Sequence, residues 1–245
     1  MADSSQTLIQ GVAEVVRSSA VSQSASGICF ATVGELPLVA EEIERMVAAV
    51  PRSIAGALTR SAYYFVPLTV SQHEETVIAS RYDIALSENA VCHRNVTLGD
   101  SQCVFISTRL MDDRFSIAFE FFINVAHAFV ERAGVSEGFA ELVWKQAQDR
   151  VRGETGLDAY ELRKIATGNG PDAERARNDY ISAAFADAIA IYLLATYMDV
   201  DYYDLREREY PLLAPPALAE RLRKVAELFP TDPGFEFQIL HRRKS

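Results

Sequence analysis

Residues 179–198, DYISAAFADAIAIYLLATYM, are long enough for roughly five turns of helix, and the run is almost entirely apolar apart from Asp187. A helix that is apolar on every side has no face to give to water, so it belongs at the centre of a domain. One carboxylate inside it, with Phe185, Ala186, Ala188, Ile189, Ile191 and Leu194 around it, is costly to bury alone. An unpaired buried charge loses its hydration and shifts its pKa until it is neutral. Asp187 must therefore face a cleft, water or a cation.

A second apolar run, SIAFEFFINVAHAFVERAG at 116–134, holds His127, the one histidine of four that lies in a helix-like segment. At helical spacing its polar residues fall in one stripe: Asp113, Ser116, Glu120, Asn124, His127 and Glu131. The plain physical reading is an amphipathic helix whose wet side contains a histidine. Asp112 and Asp113 suit its N-cap, and Gly134 suits its end.

The remaining chain supplies helices and a little sheet. Residues 5–17 read as a short amphipathic helix, followed by the Ser-rich, linker-like SSAVSQSASG, so residues 1–26 are expected to be semi-detached from a main domain at 27–245. GICFATVG is compact and apolar, and Pro37 opens a helix over LVAEEIERMVAAV that Pro51 ends. AYYFVPLTV reads as one strand and QCVFIST at 102–108 as another, with polar, irregular sequence at 71–101 between them. Further helices are expected near 136–151 and 216–228, with a partly helical polar excursion from 153. The fold class is α+β, mostly helical, with a small sheet and a helical C-terminal half.

Composition excludes several partners. With 34 acidic and 24 basic side chains the net charge is −10, and no stretch interleaves Lys or Arg with aromatics, so nucleic acids and anionic membranes are not expected. The N-terminus lacks a positive region followed by a long apolar one, and the protein is expected to be cytoplasmic. Cys29, Cys92 and Cys103 are odd in number and form no CxxC, which points to free thiols. Cys92-His93 with Cys103 matches no familiar zinc spacing.

The order of strand, polar-faced helix and later FADAIAIYLL helix resembles the catalytic half of gluzincin zinc peptidases, especially the family of the anthrax toxin lethal factor. The matching stretches are Ile123-Asn124-Val125-Ala126-His127-Ala128-Phe129 and Ala183-Ala184-Phe185-Ala186-Asp187-Ala188-Ile189, within a likeness spanning about residues 28–198. The resemblance implies a zincin-like domain in which His127 stands at the second histidine of HExxH. Ile123 stands at the first histidine, Asn124 at the general-base glutamate and Ala183 at the third ligand. Asp187 keeps the carboxylate that orients a ligand histidine from behind.

Catalytic zinc needs three protein ligands, an open water position and a carboxylate base. Ile123 and Ala183 offer no lone pair, and the neutral amide of Asn124 cannot take a proton at working pH. The resemblance thus implies a pseudopeptidase without metal or other cofactor, binding a peptide or protein or serving as scaffold. Its cleft candidates are Glu120, Asn124, His127, Glu131 and Asp187, and an edge strand such as 102–108 could hold an extended peptide. Two other readings stay open. One is an active metalloenzyme with a one-His, two-carboxylate site at His127, Glu131 and Asp187. The other is an unrelated helical interaction module.

Overall fold

The computed structural model describes residues 7–72, 75–111, 113–205 and 209–239. The chain divides into two compact units, residues 1–121 and 122–245.

The first unit is built on two sheets. In chain order its elements are β1 (Ile9–Gly11), α1 (Val12–Ser18), β2 (Ser22–Gln23), β3 (Cys29–Thr32), α2 (Ala40–Ala48), α3 (Arg52–Ala55), β4 (Ser61–Val66) and β5 (Leu68–Gln72). They continue with β6 (Glu75–Ala79), α4 (Ile84–Ser87), β7 (Ala90–Val91), β8 (His93–Leu98), β9 (Ser101–Ser107) and α5 (Thr108–Met111). The first turns of α6 (Arg114–Ala133) complete the unit. One sheet has the order β2-β3-β4-β9-β8 and the other β1-β6-β5-β7. Helices α2 and α3 carry the chain from β3 back to its parallel neighbour β4, a return that no tight turn can make.

The structure corrects the single strand expected over AYYFVPLTV. Pro67 has no N–H to give to a ladder, and the chain leaves one sheet there and enters the other. Hydroxyl groups hold the break together: Thr108 Oγ1 donates to Val66 O at 2.9 Å. Ser107 Oγ accepts from Thr69 N at 2.8 Å and donates to Val91 O at 2.6 Å.

Two further expectations give way. The N-terminal segment is not semi-detached: β1 pairs with β6, and Val15 is fully buried beside Tyr64, Val66, Ile78 and Phe105. Valines 12, 15 and 16 fall on one face of a short helix that finds an apolar surface waiting. Residues 71–101 are not irregular, since they contain β6, β7 and β8. The sequence of β8, HRNVTL, hides its strand because only Val96 and Leu98 are drawn toward the core.

The second unit is helical. It comprises the rest of α6, then α7 (Glu137–Gln148), α8 (Leu157–Ala166), α9 (Ala173–Tyr197) and α10 (Pro215–Leu228). Asp113 caps α6 by accepting from Ser116 N at 2.9 Å, as its sequence suggests; Asp112 lies outside the described residues. Gly134, at φ 72°, ends the helix in a conformation that suits glycine. Helix α9 has the length and apolarity of a membrane span, but 78% of its most apolar window is buried within the protein, as in a core helix. Phe185 on α9 packs on Phe139 of α7 with ring centres 4.5 Å apart, and Tyr192 donates to Phe229 O at 2.6 Å.

The protein is thus α+β, as its sequence indicates, with two sheets among the described residues rather than one small one.

Candidate functional site

In the first unit β8 is an exposed edge strand of the five-stranded sheet, whose other edge is the two-residue β2. Strand β9, expected to offer an edge, is instead paired on both sides, with β4 in parallel and β8 antiparallel. Its apolar run CVFI is buried on both faces because it is interior. The edge next to β9 is β8, with no described strand on its other side.

The register fixes which backbone groups of β8 are available. Ser107 N donates to Cys92 O at 2.8 Å, and these two residues continue the β8–β9 register. Hydrogen-bonded pairs recur every second residue in an antiparallel ladder, so Arg94, Val96 and Leu98 turn their backbone groups toward β9. His93, Asn95 and Thr97 turn theirs outward.

His93 also joins the edge to α6. Its Nδ1 lies 2.5 Å from Glu120 Oε1, and because a carboxylate only accepts, Nδ1 carries the proton. Tyr63 and Phe65 meet Phe121 on the same sheet face, with ring centres 5.1 and 5.5 Å apart, which places Glu120 beside the start of β8. Cys92 precedes this pair. Desolvation of its sulfur, then the charge of Glu120, push its thiol up, the wrong direction for a nucleophile.

In the second unit the α6 stripe is uneven. Asn124 is buried, whereas His127 and Glu131 are exposed and Ile123 is half-buried. On α9, Ala183 and Asp187 are both half-buried. Thr155 Oγ1 donates to Asp187 Oδ2 at 3.0 Å. Gly156 passes so close that a Cβ there would lie 2.5 Å from the same oxygen. Burial pushes the Asp187 carboxyl up to about 7; the Thr155 hydroxyl opposes the shift, Glu154 adds to it and Arg221 opposes it.

The metal-site alternative does not assemble. Among the described residues no three His, Cys, Asp or Glu side chains form a group that could hold a metal ion, so His127, Glu131 and Asp187 are not a ligand set. Asp187 is turned to the Thr155–Gly156 segment.

Beside Asp187 lies a buried ionic cluster that the sequence reading missed. Glu154 and Arg221 are fully buried and joined at 2.8 Å, with Arg163 Nη1 2.9 Å from Glu154 Oε1. Tyr180 donates to Glu154 at 2.7 Å, and Arg221 Nε donates to Gln146 Oε1 at 2.8 Å. Tyr180 is a core residue with its hydroxyl committed to this cluster. One signal was available. Arg221 lies between Leu218 and Val225 on the apolar face of its helix, where a cation implies a buried partner.

No family model, curated protein or solved structure matches this chain.

Proposed function

We propose that this protein is a catalytically inactive, zincin-like relative of the gluzincin peptidases that binds an extended peptide or protein segment in the cytoplasm. The observation that carries the binding role is the β8 edge. It has three successive outward-facing sets of N–H and C=O groups, on a strand whose exposed side chains include no lysine and no proline to block pairing. The inactive reading is supported by the residues at the peptidase positions, where Ile123 and Ala183 cannot ligate zinc and Asn124 cannot act as base. Three free thiols suit a reducing compartment.

Strand addition is tested at Asn95. Proline there removes an outward N–H and leaves the bonds between β8 and β9 in place. Peptides selected on the full chain from a random-sequence phage library should bind wild type, lose binding to Asn95→Pro, and be recovered uncut by mass spectrometry. Selected peptides that ignore Asn95→Pro, or that are cleaved, would refute the proposal.

A further inference from the structure

We infer that the segment received by β8 carries a lysine or arginine on its α6-facing side and apolar residues on the other; this rests on the strand-addition reading above. An added strand continues the pleat of its neighbour, so its side chains join the two rows that β8 already presents.

On one side of the sheet the β8 row is His93, Asn95 and Thr97, since these pair with Ile106, Val104 and Gln102. This row faces α6, as the contact of His93 with Glu120 requires. The carboxylate of Glu120 accepts from Nδ1, so the other ring nitrogen, Nε2, is directed away from Glu120. The pair is accessible, with His93 40% and Glu120 18% exposed. The Glu120 carboxylate stands beside this row, and its field already acts on a neighbour, adding to the upward push that desolvation gives the Cys92 thiol. Charge complementarity at a partly desolvated contact selects a cation and repels an anion. The overall charge of −10 acts in the same direction at longer range.

On the other side the row is Arg94, Val96 and Leu98. Val96 and Leu98 are partly buried against the cluster that contains Val15 and Phe105. An apolar residue added beside them extends an existing apolar surface, whereas a charged one would be desolvated without a partner.

The probe is a fluorescein-labelled synthetic peptide alternating valine with threonine, with one threonine replaced by lysine; its control has glutamate in that place. Fluorescence anisotropy on the full chain should show the lysine peptide binding about tenfold tighter. Glu120→Gln, which keeps an acceptor for His93 and removes the charge, should bring the two peptides within about twofold of each other. A thermal melt establishes that the variant is folded, and the comparison of peptides on wild type needs no variant at all. Equal binding of the two peptides, lost in Asn95→Pro, would overturn the charge selection and leave the edge reading intact. Absence of binding by the lysine peptide, while library-selected peptides still bind through β8, would likewise overturn this inference alone.

Discussion

Thr155 holds Asp187 by a 3.0 Å hydrogen bond from its hydroxyl to Oδ2, within the otherwise apolar stretch 183–195 of α9. That single donor does not offset the loss of hydration, and the carboxyl rises from 3.8 to about 7 on folding. Between those values the folded chain keeps a proton that the unfolded chain releases. The stability this group contributes is complete below about 3.8 and is lost as pH rises through about 7. Asp187→Asn, whose amide oxygen still accepts from Thr155, should match wild type near pH 4 and exceed it by ~2–4 kcal/mol at pH 8. Urea melts at the two pH values check this, and an equal difference at both would refute it.

Arg221 supplies two of the donors that Glu154 needs. Arg221→Met should cost ~3–5 kcal/mol, because it leaves a buried carboxylate short of charge compensation. Adding Glu154→Gln should recover part of that loss, although Arg163 then loses its partner. A double-mutant cycle by urea denaturation measures the coupling, and strict additivity would show that the cluster does not act as a unit.

Three variants along α6 separate core from surface. Phe121 is fully buried against Tyr63 and Phe65, so Phe121→Ala should cost ~3–5 kcal/mol. Asn124 is 6% exposed, and Asn124→Ala should cost ~1–3 kcal/mol by leaving its surroundings unsatisfied. Exposed His127 should tolerate alanine within ~0.5 kcal/mol. Thermal melts rank the three; a loss at His127 equal to that at Phe121 would make His127 a structural hub.

The proposed peptidase ancestry can be tested by reconstruction. Ile123→His, Asn124→Glu and Ala183→Glu together restore HExxH on α6 and a carboxylate four residues before Asp187 on α9. A folded triple variant should bind about one zinc ion per chain by calorimetric titration, more tightly than wild type. No gain in zinc affinity would mean that these positions do not converge.

The sequence by itself determined the elements whose reason is local. The centrality of the later part of α9 follows from the lack of a polar face over 183–195, the start of α6 from Asp113, its end from Gly134, and the start of α10 from Pro215 and Pro216. The need of Asp187 for a compensating environment was equally legible, because a lone carboxylate among aliphatics states it. Tertiary structure decided which group would partner it, bringing Thr155 from 32 residues away, and left burial to push the carboxyl up. It also decided that β9 is interior and β8 is the edge. The apolar run CVFI of β9 and the polar HRNVTL of β8 do not name their neighbours, because pairing order is a long-range property that periodicity does not carry. The contacts of His93 with Glu120, 27 residues apart, and of Glu154 with Arg221, 67 apart, were hidden for the same reason. Charges far apart in sequence declare no partner until the fold removes water from between them.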